Sequence, residues 1–174
     1  WGDEKAPETD FGDMILYKVH VRGYTRQAKL PAGLRGTFSG LVQMIPYWQE
    51  LGINTVELMP AYEFMEVTRQ EEAEGLVSQK SKKNGINYWG YGNGLYFAPK
   101  SAYCATRDPH REFCDMIRAF HKAGIGCIME MYFPAEVNPL MALRAVQFWK
   151  QNYHVDGFHI LGEGAPLNLI MKDG

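Results

Sequence analysis

The sequence predicts an α/β fold in which parallel strands alternate with helices. Short apolar runs rich in strand-forming residues recur along the 174 residues, and segments with helical periodicity separate them. This alternation requires a parallel sheet with right-handed crossovers, either an open doubly wound sheet or a closed barrel. The composition is that of a packed globular domain, because 46% of the residues are hydrophobic and 22% are charged.

The N-terminal third should supply a strand, a helix and a second strand. The run MILYKVHV at 14–21 is rich in strand formers and gives the first strand. Apolar residues then recur at helical spacing through 41–51, which predicts a helix of about four turns that ends at Gly52. The second strand is expected at 53–59, and Pro60 ends it.

A long inserted loop is expected at about 61–100, where no regular periodicity is visible. Its first part, 66–83, carries acidic and then basic residues with few large apolar ones, which indicates a solvated excursion. Its second part, 86–99, reads INYWGYGNGLYFAP and combines aromatic residues with glycines. That composition favours an ordered loop that brings rings close to backbone, so the second part is the better functional candidate.

The remaining chain repeats the alternation. Asp108 and Pro109 form a cap and first-turn pair for a second helix. A third strand is expected at 125–133, a third helix carries the apolar stripe at 140–149, and a fourth strand is expected at 155–161. The predicted order is therefore three strand-helix units followed by a fourth strand and a short tail.

Composition also excludes several classes of partner. The formal net charge of −2, with no dense basic face, argues against nucleic acid. Charged Glu130 and helix-breaking Pro134 interrupt the best apolar run, so no membrane span is expected. The three cysteines are Cys104, Cys114 and Cys127. Their odd number and their apolar sequence neighbours favour buried free thiols and a cytoplasmic location.

Known cofactor patterns are missing from the sequence. The five histidines show neither H-x-x-x-H nor H-E-x-x-H pairing, and the glycine run 90–94 lacks the dinucleotide spacing, so we expect neither metal nor cofactor. His20 ends the first strand, where parallel α/β folds place ligand-facing groups. A satisfied structural histidine is nevertheless favoured over a catalytic one at this position.

Five blocks, in the correct order, carry a resemblance to a known family: ILYKVHVRGYT, GTFSGLVQMIPYWQELGINTVELMPAYEF, NYWGYGNGLYFAPKSAY, EFCDMIRAFHKAGIGCIMEMYF and NYHVDGF. Together they resemble the α-amylase superfamily, glycoside hydrolase family 13, and within it the isoamylase, pullulanase and glycogen-debranching branch. The resemblance implies strands one to four of a (β/α)8 barrel that acts on α-glucans with retention. It also implies a β-sandwich domain upstream and the second barrel half downstream, neither of which lies within residues 1–174.

The resemblance assigns roles to single positions, and four of them depart from the family pattern. The family's fourth strand reads D-G-F-R-F-D, and here His159 stands at the arginine and Leu161 at the nucleophilic aspartate. At the end of the third strand, Pro134 and Ala135 replace the family's asparagine and histidine. Because leucine cannot form a glycosyl intermediate, the pattern predicts no catalytic residue of the usual kind.

Other family positions are kept. Tyr91, the tyrosine that stacks on the sugar in the family's W-G-Y-N loop, survives with Trp89 beside it, and both are predicted to bind substrate. Glu130 retains a carboxylate on the third strand and is expected to pair structurally with His159. Two further carboxylates, Glu136 and Glu163, are fallback candidates for a relocated acid and base. Two flanking glycines argue instead for a turn at 162–164 with Glu163 in solvent.

Three functions remain open at this stage. The first is a catalytically degenerate barrel, or pseudoenzyme, that binds glycogen or starch or acts as a scaffold for an active glucan enzyme. The second is an active hydrolase or glucanotransferase of the debranching type with relocated carboxylates. The third is a purely structural barrel that no longer binds sugar. In each reading the rest of its own barrel is the first expected partner, because an isolated half barrel leaves sheet edges open.

Overall fold

The structure is a computed structural model that describes residue 1, residues 5–68 and residues 85–173. The strands are β1 Leu16–Val19, β2 Thr55–Leu58, β3 Tyr62–Phe64, β4 Val67–Thr68, β5 Gly85–Ile86, β6 Gly94–Pro99, β7 Gly126–Tyr132 and β8 Gly157–Leu161. The α-helices are α1 Val21–Tyr24, α2 Phe38–Val42, α3 Ile45–Glu50, α4 Pro109–Lys122, α5 Pro139–Tyr153 and α6 Leu167–Asp173. Short 3-10 helices span Phe11–Asp13, Ala32–Leu34 and Ser101–Tyr103.

Four strands form one parallel sheet in the order β1-β2-β7-β8. The strand order follows the chain without reversing, which is the arrangement of a barrel wall and not of a doubly wound sheet. The predicted alternation of parallel strands and helices is therefore confirmed. Each strand is shorter than the sequence pattern suggested; the first, expected at 14–21, ends at Val19 because His20 already caps α1.

The helix predicted at 41–51 is wrong as a single element. It consists of α2 and α3, which meet at residues 43–44. Pro46 lies in the first turn of α3, where its missing backbone N–H is tolerated. In the middle of a continuous helix, the same missing N–H would leave one backbone hydrogen bond unmade. The helical spacing of apolar residues persists across the break, which is why periodicity alone did not reveal it.

The segment expected to be a loop at 61–100 contains regular structure. β3 pairs with β6 and β4 pairs with β5, both antiparallel, as two small sheets beside the main one. β3, β4 and β5 have only two or three residues, too few for a period-two pattern to be recognised, and β6 lies within the glycine-containing stretch that was expected to be an ordered loop. Most of the charged excursion expected at 66–83 lies outside the described residues. The tail after 161 also forms a helix, α6, which the sequence did not predict.

The core between the sheet and the helices is built from large aromatic side chains. Trp48, Trp149 and Phe113 are fully buried. The Trp149 indole donates to the carbonyl oxygen of Tyr96 at 2.6 Å, which joins α5 to β6. The three cysteines are free thiols, and Cys114 and Cys127 are buried. None of the helices in the described part of the chain combines the length and apolar character that crossing a bilayer requires.

Glu112 fixes the start of α4 against the preceding loop. Its carboxylate accepts hydrogen bonds from the backbone N–H of Ser39, Ala105 and Thr106 and from Cys104 Sγ, at 2.8–3.0 Å. Burial alone would raise the pKa of Glu112, but the hydrogen bonds from Cys104 and the backbone outweigh it and lower the pKa to about 2. The charged form of this side chain is therefore part of the fold.

Replacing Glu112 with glutamine is expected to lower the free energy of unfolding by about 2 kcal/mol at pH 7, because charge-assisted bonds to buried donors are lost. The folded-state pKa is depressed from 4.5, so this contribution is complete above that pH and is lost as the pH falls towards 2. Urea unfolding at pH 7 and pH 3 measures both effects. Exposed Glu50→Gln is the control, and an equal deficit for Glu112→Gln at the two pH values would contradict the account.

Candidate functional site

The aromatic loop, residues 87–93 between β5 and β6, is tied to the neighbouring segments by its backbone. Asn87 N donates to the carbonyl of Glu66 at 2.7 Å, and Gly90 N donates to Asn87 Oδ1 at 3.0 Å. Gly90 has φ +84°, and a Cβ there would lie 2.7 Å from the Phe64 ring. Only glycine therefore lets the loop approach β3 this closely before the chain reaches Tyr91.

His20 provides a further anchor for the aromatic loop. Its Nδ1 accepts from Gly23 N at 3.0 Å, so the neutral ring carries its proton on Nε2, which lies 2.9 Å from the carbonyl oxygen of Tyr88. The ring stacks on Tyr88 at 4.4 Å, and burial lowers the pKa of His20. Both ring nitrogens are engaged, so His20 is a structural histidine that holds the loop.

Two aromatic side chains of the loop are exposed at the barrel mouth. Trp89 is 52% exposed and Tyr91 is 38% exposed. The Trp89 ring lies edge-on to His20 at 5.5 Å, and the Tyr91 ring lies 5.6 Å from the ring of Tyr132. Tyr91 also donates its hydroxyl to Glu130 Oε2 at 3.0 Å. The loop thus presents two held aromatic surfaces above the carboxyl ends of the strands.

Beneath Tyr91 lies what we call the interior cluster: Lys18, Glu57, Glu130 and His159. The Lys18 ammonium donates to Glu130 Oε1 and lies 3.3 Å from Glu57 Oε1. His159 Nδ1 lies 2.9 Å from Glu57 Oε1 and 3.6 Å from Glu130 Oε1. Glu130 is fully buried and Glu57 nearly so, whereas the side chains of Lys18 and His159 are 40% and 47% exposed.

Strand register explains why these four residues meet. Lys18 is level with Glu57 in the β1–β2 ladder, and Glu130 is level with His159 in the β7–β8 ladder. Neighbours in register point to the same face of a sheet, and this face is the barrel interior. The sequence predicted Glu130 and His159 as a pair; the geometry brings them together, but the shorter contact of His159 is with Glu57.

Lys18 and Glu57 join the cluster although no sequence motif marks either residue. Partial burial alone would lower the pKa of Lys18, but its hydrogen bond to Glu130 and the two carboxylate charges raise it. The potential ligand atoms of Glu57, Glu130 and His159 lie within 4.8 Å of one another, which a metal ion could bridge. The Lys18 ammonium, however, already contacts both carboxylates, so the chain supplies its own cation there.

Glu57 and Glu130 lie close together, but their contacts differ from those that a glycosidase pair requires. A retaining mechanism needs one carboxylate free to attack the anomeric carbon and a carboxylic acid opposite it. Both Glu130 oxygens are engaged, by Lys18 and by Tyr91, and the carboxylate is fully buried. Glu57 accepts from His159 and is 6% exposed. Among the described residues, the contacts of these two carboxylates are those of a fixed ionic network.

The positions that the resemblance assigns to the family's polar site residues lie at the ends of β7 and β8. Leu161 ends β8, half-buried, and its carbonyl accepts from Phe133 N at 2.9 Å. Pro134 and Ala135 follow β7 and enter a turn. Both fallback carboxylates, Glu136 and Glu163, are exposed in turns.

Glycine closes the turn that carries Glu163. Gly162 has φ +95°, and Gly164 N donates to the carbonyl of Phe133 at 2.9 Å. A Cβ on Gly164 would lie 2.0 Å from the carbonyl oxygen of Pro134. The exit of β8 therefore lies directly on the exit of β7, and the chain turns at 162–164 instead of extending the strand.

Comparison with known proteins gives the chain a set of relatives. It is 38% identical over 136 residues to the glycogen operon protein GlgX homolog of Haemophilus influenzae, covering 76% of this chain and 19% of the relative. It is 36% identical over 154 residues to the glycogen debranching enzyme of Dickeya chrysanthemi, covering 84% of this chain and 22% of that enzyme. No family model matches the chain. The chain spans about a fifth of the length of these curated relatives.

Solved structures share the fold. The catalytic module of the multi-modular glycogen-degrading pneumococcal virulence factor SpuA superposes with a TM-score of 0.73 at 21% identity, over 98% of this chain and 31% of that one. Apo pullulanase from Paenibacillus barengoltzii superposes with a TM-score of 0.67 at 19% identity, over 92% of this chain and 32% of the pullulanase chain. At these identities the match shows the fold alone, and it confirms a partial (β/α)8 barrel.

Proposed function

We propose that this chain, which resembles the isoamylase, pullulanase and glycogen-debranching branch of glycoside hydrolase family 13, is part of an α-glucan-binding protein without the family's hydrolytic mechanism. One observation carries the proposal. The position that corresponds to the family's nucleophile is the apolar Leu161, and the carboxylates of the interior cluster are bound by Lys18 and His159. Relatives named for glycogen support α-glucan as the ligand class.

The exposed rings of Trp89 and Tyr91 are the proposed contact with glucan. Sugar rings present apolar C–H faces that stack on aromatic side chains, while their hydroxyls stay in water. The two rings are held from below, through His20 and Glu130, so they lose little conformational freedom on binding. An aromatic platform of this kind binds a neutral polymer without any change of covalent bonds.

A second candidate is hydrolysis or glucan transfer of the debranching type with relocated carboxylates. The observation that favours it is that relatives at 36–38% identity include a protein named glycogen debranching enzyme. It would require Glu136 and Glu163 to act as acid and base from their exposed turns. In this reading Leu161 is irrelevant to the chemistry.

One experiment tests both candidates. The intact protein is expected to be retarded in native gels that contain glycogen, and to release no reducing ends from glycogen, pullulan or starch. Trp89→Ala is expected to weaken glycogen affinity about tenfold, because a stacking surface is lost. Tyr47→Ala, which removes an exposed aromatic ring on α3, is the matched control.

Each alternative outcome has a clear reading. Turnover that disappears in Glu163→Gln would overturn the proposal in favour of the second candidate. Unchanged mobility in glycogen gels would remove the glucan ligand and leave a purely structural barrel. Equal loss of affinity in Trp89→Ala and Tyr47→Ala would remove the aromatic loop as the contact.

A further inference from the structure

The hydrogen bond between Tyr91 and Glu130 joins an exposed ring to a fully buried carboxylate. On the exposed side, Tyr91 lies between two glycines that both have positive φ, +84° at Gly90 and +155° at Gly92. Neither glycine has a side chain that could pack against the Tyr91 ring. The direction of the Tyr91 ring therefore depends on its tertiary contacts, which are the Tyr132 ring and the Glu130 carboxylate.

On the buried side, the Glu130 carboxylate cannot turn freely. Its Oε1 accepts from Lys18 and lies 3.6 Å from His159 Nδ1, which leaves Oε2 directed at the Tyr91 hydroxyl. Hydrogen bonds to an ionised acceptor are stronger and more directional than neutral ones. Three strands of the barrel wall thus fix one oxygen atom, and this oxygen fixes the ring.

The geometry assigns to Glu130 the role of a positioning residue for glucan binding: its Oε2 holds the Tyr91 ring in the orientation that meets the sugar face. This inference rests on the proposed function. Lys18 and His159 contribute indirectly, because they hold Glu130 in place. In this inference the carboxylates of the interior cluster support the glucan-binding surface and take no part in bond cleavage.

The competing explanation is that Glu130 only balances the charge of Lys18 within the core. The two explanations differ in how Glu130 and the Tyr91 hydroxyl combine. If Glu130 acts through the hydroxyl, removing both groups should cost no more affinity than removing one. If Glu130 only balances charge, Glu130→Gln should bind like the parent, or its loss should multiply with that of the Tyr91 hydroxyl.

The test is a double-mutant cycle on the intact protein with maltohexaose as the probe, measured by titration calorimetry. Tyr91→Phe keeps the ring and removes the tether, and we expect about fivefold weaker binding. Glu130→Gln should weaken binding by a similar factor, and the double variant should be no weaker than either single one. Tyr153→Phe, which removes a comparable hydroxyl bonded to His110, is the control and should bind like the parent.

The outcomes separate this inference from the proposed function. No binding of maltohexaose by the parent would overturn the proposed function, and the inference with it. Binding by the parent together with multiplicative losses, or with parent-like affinity for either Tyr91→Phe or Glu130→Gln, would overturn only the inference. Should Glu130→Gln fail to fold, Glu130→Asp replaces it in the cycle, since it keeps the charge and withdraws the oxygen from Tyr91.

Discussion

Lys18→Met is expected to lower the free energy of unfolding by about 2–3 kcal/mol at pH 7. The substitution removes the ammonium that lies between Glu57 and Glu130 and leaves two carboxylates facing each other, both almost entirely out of water. Breaking a buried ion pair from one side typically costs about 3–5 kcal/mol. The loss expected for Lys18→Met lies at or below the low end of this range, because the Lys18 side chain is 40% exposed and solvent screens its charge.

Two further variants identify repulsion as the cause. Adding Glu57→Gln to Lys18→Met removes one of the facing charges and should recover most of the lost stability. Exposed Lys29→Met should stay within about 0.5 kcal/mol of the parent. Urea unfolding measures all four proteins, and a double variant less stable than Lys18→Met would exclude this account.

Gly164→Ala is expected to be at least as damaging, with a loss of about 3 kcal/mol. A Cβ at this position would lie 2.0 Å from the carbonyl oxygen of Pro134 and 3.1 Å from that of Phe133. Both obstacles are backbone, so relief requires the exits of two strands to move apart, and overpacking of this kind commonly costs about 1–3 kcal/mol or somewhat more. Thermal unfolding should show a midpoint lower by several degrees.

Gly33→Ala is the matched control for this substitution. Gly33 lies in an exposed 3-10 helix, and a Cβ there would meet nothing within 4 Å. Its unfolding midpoint should equal or slightly exceed that of the parent, because alanine restricts the unfolded chain. If Gly164→Ala and Gly33→Ala unfolded at the same temperature, the close approach of the two strand exits would not contribute to stability.

The main sheet was predictable because its signals are local and redundant. Runs such as ILYKVHV and GCIMEMY are apolar, rich in strand formers and separated by helices with clear caps, as at Asp108 and Pro109. The break between α2 and α3 and the short strands at 62–99 were not predictable in the same way. In both cases tertiary contacts decided the local structure, and no periodic signal of sufficient length was present.

The candidate site was predictable in part, for a related reason. Glu130, His159, Tyr91 and Trp89 are found by their order along the chain, because each stands at a position that the family resemblance marks. Lys18 carries no such mark, and its role depends on the register of β1 against β2, which sets it beside Glu57. A pairing across strands that are about forty residues apart in sequence becomes visible only when the sheet is assembled.

The interior cluster has a consequence for the paths by which this barrel could change. It already contains two carboxylates against one ammonium, so Leu161→Asp alone would add a third acid on the same face of β8 as His159. If position 161 is the degenerate nucleophile position that we propose, an aspartate there would thus be disfavoured as a first step and tolerated only after a new cation had been introduced nearby. On that proposal, an aspartate could be accommodated at position 161 only through an ordered pair of changes, first a new cation beside the interior cluster and then Leu161→Asp.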